Sequence, residues 1–167
     1  MTIADNSMIE MNGATTGLLV TEGHRDEIEL RRGYKEEIWD PAAPPPFAIA
    51  PRRARIPIPE RLDHEGNVVL ALDEEAVRRG ARRLRQLGVT SIAVCFLYSF
   101  VNPDHERRAR ELVLEEFPDV EHISLSHEVL PKAPEFERVS TTLVLGVLQA
   151  RQFMAHSAMP SARNLSR

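Results

Sequence analysis

Four short clusters of ionisable residues carry the chemistry this 167-residue chain can offer: Arg25-Asp26, His105-Glu106, His127-Glu128 and Glu137-Arg138. An imidazole titrates near neutrality, and a neighbouring carboxylate can orient or charge it. His127 with Glu128 is therefore the leading candidate for proton transfer, and His105 is a second acid–base or ligand position. Adjacent strand residues point to opposite faces, so His127 and Glu128 reach one ligand only if their strand has already ended. A guanidinium can grip phosphate or carboxylate bidentately, which makes Arg138, with Thr141 one turn on, a candidate anion-binding position. Arg25-Asp26 reads either as another such position or as a structural ion pair. Each cluster has a bland reading too: a polar helix start for His105, and a helix surface with an internal pair for Glu137 and Arg138.

Each cluster follows a segment able to position it. SIAVC, from Ser91, begins an apolar run expected as a strand over Val89 to Leu97. Asn102-Pro103 then turns the chain into a helix whose packing face is Ala109, Leu112, Val113 and Phe117. Open α/β sheets bind ligands beyond the carboxyl ends of their strands, where Asn102, Asp104, His105 and Glu106 fall. A second strand around Ile123 to Leu125 delivers His127 and Glu128 in the same way. TGLLVTEG is a further strand closed by Gly23, followed by a helix-compatible run from His24 to Arg32.

The rest of the chain supplies frame. Thr2 to Asn12 has helical spacing and a natural stop at Gly13. Pro41, Pro44, Pro45, Pro46 and Pro51 enforce an extended connector. Residues 55–73, RIPIPERLDHEGNVVLALD, alternate about a polar turn at 63–67, a β-hairpin whose prolines point to a sheet edge. Asp73 caps a helix with the stripe Ala76, Val77, Ala81, Leu84 and Leu87, stopped by Gly88. A last helix, Phe136 to Met154, carries Val139, Leu143, Val147 and Leu148 as a stripe expected to recruit a partner if nothing in the chain covers it. Residues 1–155 are expected to form one domain and 156–167 a poorly ordered tail.

Composition narrows the function classes. With 43% hydrophobic and 28% charged residues and a net charge of -4, the chain has the make-up of an ordinary globular domain. Its arginine clusters are interleaved with acids and read as solvated helix faces, which argues against a nucleic-acid partner. A single cysteine excludes an internal disulfide, and Cys95 inside AVCFL reads as a small buried hydrophobe. No secretory signal or membrane-length apolar run is found, so no membrane association and a cytoplasmic location are expected.

The segments TGLLVTEGHRDEIELRRGYKEEIWDP, SIAVCFLYSFVNPDHERRARELV and HISLSHEVLPKAPEFERVSTT, in that order, resemble the N-terminal region of the hydantoinase A/5-oxoprolinase family over about residues 2–142. The N-P-x-H-E element at His105 and the E-[YF]-x-R element at Arg138, followed by Thr141 and Thr142, are similar to the family's. The resemblance implies an α/β domain with a mixed sheet, flanking helices and a peripheral β-hairpin, part of an actin-like ATPase (ribonuclease H-like) superfold. For a complete relative it implies ATP-dependent cleavage of a small cyclic amide with Mg²⁺, by phosphorylation of the amide oxygen before water attacks. The implied partner is a hydantoinase B-type subunit or the remaining parts of the same enzyme. Two alternatives accompany this reading. One is the ATP-using subunit of an acetone or acetophenone carboxylase, acting on a ketone, towards which YKEEIWDP and PKAPEFERVSTT lean. The other is a non-catalytic remnant or assembly module. The family's Asp-Gly-Gly-Thr phosphate loop is not found, nor is any GxxxxGK[ST]. The sequence starts at a point internal to the family pattern and loses that pattern after Thr142. It is therefore expected to be truncated and, in isolation, inactive.

Overall fold

Strands buried on both faces read as unbroken apolar runs, and the two such runs in this chain lie side by side at the centre of one sheet. The computed structural model describes residues 15–30, 39–40, 42, 49–132 and 134–157, without the side chains of 149–157. The expected helix over Thr2 to Asn12, most of the proline-rich connector and residues 158–167 of the expected tail lie outside the described residues. In chain order the elements are β1 (Thr16–Thr21), α1 (Glu27–Leu30), a 3-10 turn (Arg52–Ala54), β2 (Arg55–Ile58), β3 (Arg61–Leu62) and β4 (Val68–Leu70). They continue with α2 (Glu74–Gln86), β5 (Ser91–Cys95), α3 (Asp104–Glu116), β6 (His122–Leu125), α4 (Ser126–Val129) and α5 (Glu135–Ser157).

The main sheet has the order β2-β1-β5-β6. All its pairings are parallel, with Leu18 opposite both Arg55 and Ala93, and Ile92 opposite Ile123. This corrects the expected mixed sheet: among the described residues no antiparallel strand joins the main sheet, and the antiparallel pairing is that of a separate two-stranded hairpin, β3-β4. The expected long hairpin is likewise divided. Its first half, Arg55–Ile58, joins the main sheet as the edge strand β2, in keeping with the prolines. The hairpin proper spans Arg61 to Leu70 around a turn in which Asp63 Oδ1 accepts from Glu65 N and Asn67 N, each at 2.9 Å.

Two apolar layers sandwich the sheet. Leu19, Ile92, Val94 and Leu125 pack against Val77, Ala81 and Leu84 of α2 and Ala109, Leu112 and Val113 of α3. Leu18, Val20, Ala93 and Cys95 face Val139 and Leu143 of α5. The stripe expected on α5 is therefore partly accounted for: Val139 and Leu143 are core, while Val147 and Leu148 are only half-buried. Helix α2 has the foreseen caps. Asp73 Oδ1 accepts from Ala76 N at 2.8 Å, and Gly88 follows the C-cap with φ +69°. β1 connects to β2 on one side, whereas β5 and β6 lie on the other. Strand order thus reverses between β1 and β5, the place where open α/β sheets leave a crevice beyond the strands' carboxyl ends.

Candidate functional site at the carboxyl ends of the strands

Glu106 stands at the centre of this end of the sheet. It is fully buried on the first turn of α3, and its carboxylate accepts from Phe96 N (2.9 Å) and Ser126 Oγ (2.5 Å) through Oε1. Through Oε2 it accepts from His127 N (3.1 Å) and lies 2.6 Å from His127 Nδ1. One side chain thereby fastens the end of β5 to the β6–α4 junction. Ser99 extends the network: its Oγ lies 3.0 Å from Ser126 Oγ and accepts from Arg138 Nη1 at 2.7 Å. Arg138 also donates to Phe96 O at 2.8 Å and pairs with Glu135. Between β5 and Ser99 the chain turns at Tyr98, whose φ of +56° lies in the left-handed region, at a cost of roughly 1–2 kcal/mol for a residue with a Cβ. The backbone bonds Val101 N and Asn102 N to Tyr98 O (2.9 and 3.2 Å) hold that turn.

A second buried carboxylate, Glu60, lies beyond β1. Leu97 N donates to Thr21 Oγ1 at 2.9 Å, bridging the ends of β5 and β1 at the point of strand-order reversal. Thr21 Oγ1 donates to Glu60 Oε1, and Glu60 Oε2 lies 2.8 Å from His105 Nδ1. On the rim, His24 Nε2 lies 3.3 Å from Arg61 Nη1. Burial, with the Arg61 charge adding to it, lowers the His24 pKa, and Glu60 opposes the shift. Burial raises the Glu27 pKa against the pull of Arg138.

The residues singled out in the sequence fall into two groups. His105 and His127 both lie at the carboxyl ends of the sheet, and each is held by a carboxylate distant in sequence. Glu128 does not serve His127: it is half-exposed and pairs with Arg110 at 3.0 Å, because α4 begins at Ser126 and turns it to the surface. Arg138 is wholly buried, with Nη1 and Nη2 donating to protein groups and Nε without a hydrogen-bond partner among the described residues, and Thr141 is exposed, so the two do not form one anion-binding face. Arg25 and Asp26 form an ion pair at 3.4 Å. Asp26 is gripped more closely by Arg52 (3.1 Å for each of two bonds), which holds its carboxyl down at about 2. The buried Arg55 adds an ion pair to Glu29 at 2.9 Å and a bond to Ala50 O at 2.8 Å. Cys95 is buried, and desolvation pushes its thiol well above the ordinary range, as expected for a core residue. Glu60, Thr21, Ser99 and Ser126 carried no local signal in the sequence. They meet His105, Leu97, Arg138 and Glu106 only through contacts across 20 or more positions. A cavity of 370 Å³ between β2 and α2, lined in part by Ile56, Pro57 and Gly80, contains none of the singled-out residues.

Among the described residues no group of three or more His, Cys, Asp and Glu side chains is arranged to hold a metal ion. No described helix is long and apolar enough to cross a membrane.

Fold and site together define an α/β domain with a parallel sheet, helices on both faces and a buried acid–base network at the strands' carboxyl ends. Residues 1–117 match the model of the hydantoinase/oxoprolinase N-terminal region, and the chain belongs to that family. It is 39% identical over 145 residues to the caprolactamase subunit alpha of Pseudomonas jessenii, covering 86% of this chain and 21% of that protein. It is 37% identical to the acetophenone carboxylase gamma subunit of Aromatoleum aromaticum, covering 89% of this chain and 22% of the relative. The crystal structure of the ATP-dependent caprolactamase from Pseudomonas jessenii superimposes with a TM-score of 0.84 at 36% identity, over 93% of this chain and 23% of that one. The nucleotide-free structure of acetone carboxylase gives a TM-score of 0.77 at 28% identity. The chain thus spans about a fifth of the length of these curated relatives.

Proposed function

We propose that this chain contributes the N-terminal region of an ATP-dependent cyclic amide hydrolase of the hydantoinase/5-oxoprolinase type, within an actin-like ATPase superfold. The observation that supports this best is the buried Glu106–His127–Ser126–Ser99–Arg138 network at the carboxyl ends of β5 and β6, in a domain close in structure to an ATP-dependent caprolactamase. The substrate class is a small cyclic amide, and the partner is a B-type subunit or further parts of the same enzyme. Relatives carrying the names alpha, beta and gamma subunit support that division of labour. A cytoplasmic location suits an ATP-using enzyme.

The described residues do not fit ATP and Mg²⁺ themselves. Arg138 is buried and bonded to Ser99 and Phe96, Arg25 and Arg52 share the single carboxylate of Asp26, and no metal-ligating cluster is present among the described residues. The role of this region is the acid–base and positioning part. The expected consequence is that the chain alone releases no phosphate from ATP, with or without hydantoin or 5-oxoproline.

The test is a chimaera in which this chain replaces the matching region of the caprolactamase alpha subunit, assayed for ATP-dependent ring opening of caprolactam, hydantoin and 5-oxoproline. Ring opening supports the proposal. ATP-dependent carboxylation of acetone or acetophenone, in the matching carboxylase chimaera alone, would favour the carboxylase reading. Assembly without either activity would identify a non-catalytic module.

A further inference from the structure

The donor directions in the two networks are dictated by their members. Arginine has no acceptor, so Ser99 Oγ accepts from Arg138 Nη1 and must give its own proton to Ser126 Oγ, 3.0 Å away. Ser126 in turn donates to Glu106 Oε1. The amides of Phe96 and His127 also donate to Glu106, so this carboxylate faces donors alone, and His127 Nδ1, 2.6 Å from Oε2, has to carry a proton. The same logic holds beyond β1. Leu97 N donates to Thr21 Oγ1, which turns that hydroxyl's proton to Glu60, leaving Glu60 Oε2 to accept from His105 Nδ1 at 2.8 Å. Both imidazoles keep about a tenth of their side-chain surface exposed, 10% for His127 and 11% for His105. Neither Nε2 has a hydrogen-bond partner among the described residues.

We propose that Glu106 and Glu60 are positioning residues that lock His127 and His105 as Nδ1–H tautomers, so that both Nε2 atoms are proton acceptors at the carboxyl ends of the strands. The proton donor they suit is a water or an amide N–H. A neutral imidazole whose Nδ1–H is held by a carboxylate is fixed in tautomer and ring orientation and presents one defined lone pair. This deepens the function proposed above and rests on it only for the identity of the reacting group, because the tautomers are a property of this chain alone.

The test is long-range proton–nitrogen correlation NMR of the full chain, isotopically labelled at histidine, at about pH 8, above the ordinary imidazole range. It requires neither ATP nor substrate and so is independent of the ring-opening assay. The expected result is that His105 and His127 are Nδ1–H, opposite to the Nε2–H form that free imidazole favours. In Glu106→Gln, Ser126 and Phe96 still donate towards position 106 and hold the amide oxygen on their side, which leaves His127 N alone without its acceptor, whereas the opposite orientation would set the amide nitrogen against both Phe96 N and the Ser126 hydroxyl. The amide nitrogen then donates to His127 Nδ1, and His127 changes to Nε2–H while His105 does not. Glu60→Gln is expected to turn His105 alone and provides a second variant should the first fail to fold. Nε2–H or averaged signals for either histidine in the unmodified chain would overturn the proposal, as would a His127 that keeps Nδ1–H in a folded Glu106→Gln variant.

Discussion

Replacing Arg138 by Met separates a structural arginine from an anion-binding one. The substitution keeps an unbranched side chain of comparable reach and removes every donor. Two buried acceptors lose the arginine donor, Ser99 Oγ at 2.7 Å and Phe96 O at 2.8 Å, the latter keeping only a long bond from Ser99 N at 3.4 Å, whereas Glu135 is 21% exposed and can rehydrate. Leaving a buried polar group unmade costs about 1–3 kcal/mol, which sets a gross loss of roughly 2–6 kcal/mol for the pair. Against this, burial already penalises the Arg138 charge, lowering its pKa, and an apolar replacement recovers part of that desolvation. The net expectation is a loss of about 2–3 kcal/mol, which at roughly 2–4 °C per kcal/mol for a chain of this size lowers Tm by about 4–12 °C. Thr141→Ala, at an exposed position, is expected to stay within about 0.5 kcal/mol. Thermal melts followed by far-UV circular dichroism provide the assay. A Tm drop below about 2 °C for Arg138→Met, or an equal drop for Thr141→Ala, would refute the assignment of Arg138 to the buried network.

Gly17 accepts the side chain of Leu84, because a Cβ there would stand 2.7 Å from Leu84 Cδ2 and 2.9 Å from Cδ1. Gly17→Ala should destabilise by about 1–3 kcal/mol through overpacking, and combined with Leu84→Ala its cost should shrink, which a double-mutant denaturation cycle will reveal as coupling. Cys95 should resist thiol reagents in the native chain and react only as fast as the domain opens, as read by labelling with and without denaturant. His24 has a lowered pKa, so the fold favours its neutral form, and stability is lost as pH falls below the unfolded value of about 6.5 through the folded one. His24→Asn should therefore flatten the stability profile between about pH 7 and pH 5 in denaturant titrations at stepped pH.

Much of the fold was legible because its determinants are local. The apolar runs at Thr16 and Ser91, the Asp73 cap, the glycine stop at Gly88 and the packing face Ala109, Leu112, Val113 and Phe117 act within a few residues of themselves. They emerge as β1, β5, α2 and α3. Strand partnership was not legible: RIPI, which alternates like a hairpin arm, became an edge strand of the parallel sheet because Leu18 to Thr21 offered it a buried partner. Period-two patterning marks a strand and says nothing about which neighbour it will take.

The sequence by itself determined that histidines and an acid would stand at the carboxyl ends of a sheet, since strand, turn and helix follow one another in the chain. It also determined the family, through motifs kept in order over most of its length. Only the tertiary structure decided which carboxylate each histidine meets. Glu128, adjacent to His127, turned to Arg110, while Glu106 and Glu60, 21 and 45 residues away from their histidines, closed on His127 and His105. The physical reason is that a buried polar atom must find a partner and takes whichever one the packing of strand ends places within about 3 Å, so the pairing is settled by topology and not by proximity along the chain.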